Sequence, residues 1–190
     1  MPSIPVNQLG RGQAISLDNE IYLIMGMEHV KPGKGPAYQQ IKLKGIENGK
    51  VIEKRFRAAE QVESIDVDRQ ACTYSYRNGD TFVFMNAKTY EEIEVHKDII
   101  SDQSLYLLEG NGVTIMVAAG RVVSVELPAA VELVISECDP GVKNATATNV
   151  FKNAIVETGL QVQVPPFINQ GDKVKIETES GKYLERTAIA

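Results

Sequence analysis

The dominant feature of this sequence is a succession of short strand-like runs, with almost no helical periodicity. Strands are predicted at residues 20–30, 39–46, 50–57, 72–76 and 81–85. Between such runs stand turn-forming residues, and Asn78 with Gly79 predicts a tight hairpin turn. Residues 97–110 are predicted to contain either a short helix or an irregular strand connection. The pattern therefore indicates an all-β fold.

Many short strands with little helix are typical of sandwiches and small barrels. Because a five-stranded barrel usually needs roughly 60 residues, three of them fill a chain of this length. Breaks in the strand pattern near residues 62–65 and near Pro128 suggest where one barrel ends and the next begins. We therefore expect three domains, at residues 1–64, 65–127 and 128–190.

Charge is distributed unevenly along the chain. The net charge is -5, which argues against nucleic acid as a general partner. Residues 1–64, however, carry nine Lys and Arg against seven Asp and Glu, whereas residues 65–127 carry five against ten. An RNA-facing surface is therefore expected mainly on the first third of the chain.

The composition also indicates the cellular compartment in which the protein works. The sequence contains neither a long apolar run nor the pattern of a secretory signal, so we predict a soluble cytoplasmic protein that does not insert into membranes. Cys72 and Cys138 lack the close spacing of a zinc site and are interpreted as small core residues.

Several enzyme classes are disfavoured. The two histidines, His29 and His96, are far apart in sequence, and no nucleophile motif surrounds either cysteine. The segment around Lys34 lacks the first glycine and the Ser or Thr of a phosphate-binding loop. Gly10 and Gly12 lack the preceding strand and the third glycine of a dinucleotide site. We therefore expect neither enzymatic activity nor a cofactor.

One loop stands out between two predicted strands. Its prolines restrict the backbone, and its glycines permit the left-handed angles of a tight reversal, so Lys34 is expected at an exposed apex. The alternative is an ordinary hairpin loop with a solvated lysine. The loop consists of Lys31, Pro32, Gly33, Lys34, Gly35, Pro36 and Ala37.

This loop and several later motifs resemble the bacterial elongation factor P family. The family's KPGKGxA pattern is matched at every fixed position of residues 31–37. Residues 76–86 are similar to its tyrosine, turn and phenylalanine-methionine hairpin, and residues 131–141 to the opening of its third domain. The segment VQVPPFINQGD at 162–172 is similar to its C-terminal signature.

The resemblance implies an SH3/KOW-like N-terminal barrel followed by two OB-fold barrels in an L-shaped, tRNA-like arrangement. It implies a monomer that binds the ribosome beside peptidyl-tRNA and stimulates peptide bond formation, relieving stalling at consecutive prolines. Lys34 corresponds to the tip lysine, which a lysine-modifying enzyme extends covalently in many relatives. No other cofactor is implied.

RNA-binding candidates come from strand periodicity and from the resemblance. Alternation places Lys42 with Lys44 on one strand face and Arg55 with Arg57 on another, and the alternative is a solvated sheet face. Tyr183 and Arg186 match family positions near tRNA or ribosome, although such residues also occur in packing and surface roles.

One segment departs from the family. Relatives carry a glycine-rich loop that is proposed to approach the exit-site codon, whereas residues 144–154 read NATATNVFKNA. This difference leaves codon contact open and motivates one alternative, a divergent paralogue with another ribosome-linked role. A second alternative is a general RNA-binding module.

Overall fold

The computed structural model describes residues 2–139 and 151–187. Strands dominate, and the all-β prediction is confirmed. Among the described residues the strands are β1 Ser3–Pro5, β2 Ala14–Leu17, β3 Glu20–Val30, β4 Tyr38–Gly45, β5 Val51–Arg57, β6 Gln61–Ile65, β7 Val67–Asn78, β8 Thr81–Asn86, β9 Glu92–His96, β10 Gly112–Ala118, β11 Arg121–Glu126, β12 Ala130–Cys138, β13 Lys152–Val156, β14 Gln161–Val164, β15 Lys173–Glu177 and β16 Tyr183–Thr187.

These strands form three sheets. The first has the order β1-β6-β2-β3-β4-β5. The second has the order β11-β10-β7-β8-β9, and the third has the order β14-β13-β12-β15-β16. In both of these sheets the first strand in sequence lies at the centre. The second and third strands lie on one side of it and the fourth and fifth on the other, so the two sheets have the same strand order. Such five-stranded sheets are typical of OB-folds.

By contacts, the chain divides into two compact units. One comprises residues 1–70 with 115–125, and the other comprises residues 71–114 with 126–190. This grouping differs from a division at residues 64 and 127, so the three-domain boundaries stay a prediction.

The first unit contains two cores on opposite sides of β3. Ile24, Ile41, Leu43 and Phe56 belong to one core of apolar side chains. Leu23 points the other way and packs in a second core that includes Met116, Ala118 and Val123. Consecutive strand residues point to opposite faces, so Leu23 and Ile24 reach different cores. The register between β3 and β4 then shifts at Met25, and Met27 packs against the same core as Ile24. One long strand thus serves two apolar surfaces.

The third sheet encloses the core of the second unit. Its alternate residues Val131, Leu133 and Ile135 are buried with side chains from the neighbouring strands. Tyr106 and Leu108 pack against this core from the segment before β10. The Thr158 hydroxyl donates a hydrogen bond to the Leu105 carbonyl at 2.5 Å.

Residues 97–110 contain the short helix that was one of the two predictions for this segment. Helix α1 spans Lys97–Ile100, and a 3-10 helix follows at Ser101–Tyr106. The Asp98 amide donates to His96 Nδ1 at 3.4 Å, so His96 caps α1.

The hairpin turn between β7 and β8 lies one residue later than predicted. Asn78 still pairs with Thr81, so Gly79 and Asp80 are the two turn residues. Only Gly79 has a positive φ, 61°. This matches a type II′ turn, which requires glycine at its first central position, whereas Asn-Gly at the centre would need two left-handed residues.

Asp80 also provides a pH-dependent contact. Its carboxylate accepts a hydrogen bond from Lys97 Nζ at 2.9 Å, and this bond, followed by the lysine charge, lowers its pKa below the usual 3.8. Since the folded-state pKa is depressed, the pair stabilises the fold above the unfolded-state pKa of aspartate. The contribution is lost as pH falls through the folded-state pKa.

We expect Lys97→Met to return the Asp80 pKa towards its ordinary value, as measured by NMR titration of the carboxyl carbon. Lys88→Met removes the same charge and leaves this hydrogen bond in place, so it is the matched control. An unchanged Asp80 titration in Lys97→Met would contradict this assignment.

Candidate functional site

The seven-residue loop joins two strands that remain paired up to its base. Val30, the last residue of β3, pairs with Tyr38, the first residue of β4. Pro32 and Pro36 lie inside the loop, where the absence of an amide hydrogen breaks no ladder bond. The sheet therefore anchors both ends of the loop, and the prolines limit its freedom.

The loop reverses with one left-handed glycine. Gly35 has a φ of 108°, whereas Gly33 does not have a positive φ. The prediction of left-handed angles is therefore right for Gly35 and wrong for Gly33, because a seven-residue loop has enough length to reverse with one such residue. A Cβ added at Gly33 would meet no atom within 4 Å. Gly33 thus leaves open space beside Lys34.

Lys34 is exposed. In the ranges 2–139 and 151–187, no carboxylate or carbonyl pairs with its ammonium group. An unpaired ammonium keeps all three donors available for an external acceptor. Lys31, at the start of the same loop, is also exposed.

The four basic candidates of the first domain lie on one face of one sheet. In the register of β4 and β5, Lys42 is opposite Glu53 and Lys44 is opposite Val51. Arg55 and Arg57 occur at alternate positions along β5, so their side chains point to this same face. The sequence predicted two separate pairs of basic residues, each on its own strand face. The antiparallel pairing of β4 and β5 places both pairs on one face of the sheet. We call Lys42, Lys44, Arg55 and Arg57 the basic face.

The opposite face of these strands carries the buried apolar residues, beside an exposed Lys54 whose Nζ lies 5.5 Å from the centre of the Phe56 ring. Ile41, Leu43 and Phe56 alternate with the basic residues and are nearly inaccessible to solvent. Their burial fixes which way the charged side chains point, because a slip of one residue would expose the core.

Tyr38 is a member of the site that sequence reasoning missed. The Arg55 guanidinium lies 5.1 Å from the centre of the Tyr38 ring, and Arg57 is directly opposite Tyr38 across the two strands. Stacking of this kind holds an arginine in place while leaving its N–H edge free. An aromatic residue directly after the loop was the available signal, but its partners depend on strand register.

Glu53 is the one acidic side chain in the paired stretch of the basic face. Its carboxylate accepts a hydrogen bond from Gln40 Nε2 at 2.9 Å. On the adjacent strand β3, Glu28 is opposite Gln40 and shares this face. Four cations therefore outnumber two carboxylates on this surface of the described strands β3, β4 and β5, an excess of positive charge.

Tyr183 and Arg186 lie in the other unit, on strand β16. Tyr183 packs against the core of the third sheet, and burial raises the pKa of its hydroxyl group. Arg186 Nη1 is 3.8 Å from Asp172 Oδ2. In this structure both residues thus have partners within their own sheet.

Cys72 is buried, and burial raises the pKa of its thiol. Cys138 is partly buried, with Lys152 Nζ 3.6 Å from its sulfur. Within the described ranges, no cluster of three His, Cys, Asp or Glu side chains could hold a metal ion. No helix in this part of the chain is long and apolar enough to cross a membrane. Residues 144–150 of the divergent segment lie outside the described residues.

Comparison with known proteins gives matches along nearly the whole chain. Residues 5–62 match the elongation factor P KOW-like domain, residues 67–125 its OB domain, and residues 131–186 its C-terminal domain. An elongation factor P from Acidothermus cellulolyticus is 43% identical over 95% of this chain and 96% of its own length. The chain belongs to the elongation factor P family.

Other members of the family are similarly close. Elongation factor P from Nocardioides sp. is 41% identical over 95% of this chain and 96% of its own. The protein of that name from Moorella thermoacetica is 40% identical over 96% and 99%. Among solved structures, eukaryotic translation initiation factor 5A from Methanococcus jannaschii covers 65% of this chain and 93% of its own, with 26% identity and a TM-score of 0.48. The family prediction is confirmed by the domain matches and by the three proteins named elongation factor P.

Proposed function

We propose that this elongation factor P family member binds the ribosome beside peptidyl-tRNA and stimulates peptide bond formation, relieving stalling at consecutive prolines. The observation that carries the proposal is that Lys34 is exposed, and unpaired within the described residues, at the middle of a loop anchored by two paired strands. Family membership supplies the ribosomal context.

Lys34 would act by positioning rather than by covalent chemistry. Its ammonium donors suit the phosphate and ribose oxygens at the end of peptidyl-tRNA, where charge-assisted hydrogen bonds are strong. Proline is a slow nucleophile because its ring constrains both the amine and the nascent chain. Holding the peptidyl-tRNA in an attack geometry lowers the entropic part of the barrier. The ribosome performs the reaction, so the protein is not itself an enzyme in this proposal.

The basic face would provide the main RNA contact. Lys42 and Lys44 lie on β4, which follows the Lys34 loop, and they share a face with Arg55 and Arg57 on the neighbouring strand β5. Lysine and arginine contacts to phosphates supply sequence-independent affinity that weakens with salt. Tyr183 and Arg186 are secondary candidates, since both already have partners within the third sheet.

The remaining partners follow from the same proposal. A lysine-modifying enzyme would find Lys34 accessible, because Gly33 and Gly35 on either side add no bulk. A covalent extension of Lys34 would lengthen its reach, and the proposal requires no other cofactor. We propose a cytoplasmic monomer, as this role requires.

Reconstituted translation tests the proposal. Ribosomes would translate one messenger with three consecutive prolines and a matched messenger with three alanines. We expect the protein to accelerate only the proline messenger and Lys34→Ala to lose this effect while still binding ribosomes.

Other outcomes identify the alternatives. Ribosome binding without any relief by the unaltered protein would favour a divergent paralogue. If Lys34→Ala only weakened salt-sensitive RNA binding, a general RNA-binding module would be favoured instead.

A further inference from the structure

A cavity of about 530 Å³ lies beside the third sheet, within the second unit. One wall consists of β13 and the neighbouring edge strand β14, and the other is the turn at residues 180–183, which leads into β16. Phe151, directly before β13, also lines the cavity and is 53% exposed. It belongs to the segment at residues 144–154 in which this chain departs from the family's glycine-rich loop.

Three side-chain amides share one face of the β13 and β14 pair. Asn153 is directly opposite Gln163 in the strand register, and Gln161 lies two positions from Gln163 on the same face. The alternating residues Ala154 and Val162 are buried in the core of the third sheet, which fixes this orientation. Within the ranges 2–139 and 151–187, none of the three amide groups has a hydrogen-bond partner. Each amide therefore keeps its N–H donors and its carbonyl acceptor available.

The opposite wall is held in place by strand β15 and by Tyr106. The Gly181 amide donates to the Glu177 carbonyl at 2.9 Å, and the Glu177 amide donates to the Lys182 carbonyl at 2.9 Å. Gly181 has a φ of 69°, and a Cβ there would stand 3.0 Å from Tyr106 Oη. A glycine thus lets the turn approach Tyr106, which packs against the core of the third sheet. Lys182 therefore extends from a fixed backbone.

Lys182 is the one charged side chain among the described residues that line the cavity. It is exposed, and in the described part of the chain its ammonium group has neither an ion-pair nor a hydrogen-bond partner. The Ser180 hydroxyl, by contrast, already donates to Glu177 Oε2. The described lining thus offers one available cation and no carboxylate to a ligand.

This set of groups matches the chemistry of a nucleotide that is not base-paired. Asn and Gln amides form paired hydrogen bonds with a base edge, most often that of adenine. An exposed aromatic ring offers a stacking surface for the same base. A single ammonium group suits a single phosphate. The volume of the cavity is within the range of small-ligand sites.

We propose that this cavity binds one unpaired nucleotide. The base stacks on Phe151, and the amides of Asn153 and Gln163 bond its edge. The Lys182 ammonium group contacts its phosphate. The nucleotide would be either part of a single-stranded RNA or a free mononucleotide, since both present the same groups. A nucleotide within a duplex is excluded, because its neighbours in the stack cover both faces of the base.

The test is an NMR titration of the full chain that follows the side-chain amide signals of Asn153, Gln161 and Gln163. One arm uses adenosine monophosphate, a second uses a short adenosine-rich single-stranded RNA, and a third uses the same RNA annealed to its complement. We expect saturable shifts in the first two arms and none in the third. Saturation by RNA alone identifies RNA as the source, and saturation in both of the first two arms includes free nucleotides. Saturation in neither, or equal shifts with the duplex, would overturn the proposal.

Phe151→Ala should weaken binding about tenfold, because stacking on an aromatic ring contributes on this order for each base. Phe167→Ala is the matched control. Phe167 is 60% exposed and follows β14 in the same unit, but it does not line the cavity. Equal affinities of Phe151→Ala and the unaltered protein, or an equal loss in Phe167→Ala, would contradict the assignment of the stacking surface.

Lys182→Met should weaken binding and reduce its dependence on salt, because the phosphate loses its cation. Unchanged backbone amide spectra would show that these variants keep their fold. The site does not involve Lys34, so Lys34→Ala should bind adenosine monophosphate normally. A failure of this proposal is therefore distinguishable from a failure of the proposed function.

Discussion

Replacing Lys34 with methionine is expected to slow peptide bond formation at three consecutive prolines on the order of 100-fold relative to the unaltered protein, as the loss of a positioning contact does. Methionine keeps much of the length of the side chain but removes the ammonium donors. The measurement is single-turnover peptide synthesis on ribosomes stalled at the proline messenger.

The same substitution should leave the fold unchanged. Lys34 is exposed and has no partner within the described ranges, so the free energy of unfolding should change by less than about 0.5 kcal/mol. A loss of activity would then be attributable to the missing amine.

Lys31→Met is the matched control for Lys34→Met. It removes the same charge from the same exposed loop, three positions earlier. We expect Lys31→Met to retain most of the activity, because Lys31 lies at the strand end of the loop. Equal losses in the two variants would point to net charge, and normal activity in Lys34→Met would refute the role of the tip.

Replacing Phe56 with alanine is expected to destabilise the first sheet by about 3–5 kcal/mol. Phe56 is 2% exposed and packs with Ile41 and Leu43. Amide hydrogen exchange of β4 and β5, followed by NMR, measures this effect on the sheet directly.

Phe56→Ala should also affect RNA contact, because Phe56 lies between Arg55 and Arg57 and holds their strand in register. We expect weaker, less salt-dependent ribosome binding as the basic face loses its order. Val51→Ala, on the same strand but 48% exposed, should change the free energy of unfolding by less than about 0.5 kcal/mol. Normal exchange protection in Phe56→Ala would contradict the proposed packing.

The sequence alone was sufficient to predict features that depend only on a short contiguous stretch of residues. Strand β3 occupies the predicted residues 20–30, because the continuous apolar run at residues 21–25 suits a strand that is covered on both faces. The exposure of Lys34 likewise follows from glycine and proline chemistry within seven residues. The family's sequence motifs could be recognised for a similar reason, since each motif is a contiguous stretch of residues.

Features that depend on how strands pair with one another were only partly predictable from the sequence. The turn after β7 is centred on Gly79 and Asp80 rather than on Asn78 and Gly79. The register of β7 and β8 determined the turn type, and the Asn-Gly dipeptide did not. The bulge at Met25 has no clear sequence signal, yet it shifts the alternation of β3 so that Met27 packs against the same core as Ile24.

The sequence by itself determined the all-β class, the family and the chemistry of the loop around Lys34, because each depends on neighbouring residues. Tertiary structure alone decided that Lys42 and Lys44 share a face with Arg55 and Arg57. The physical reason is that strand register and chain packing bring together side chains that are distant in sequence, and local propensity carries no information about that pairing.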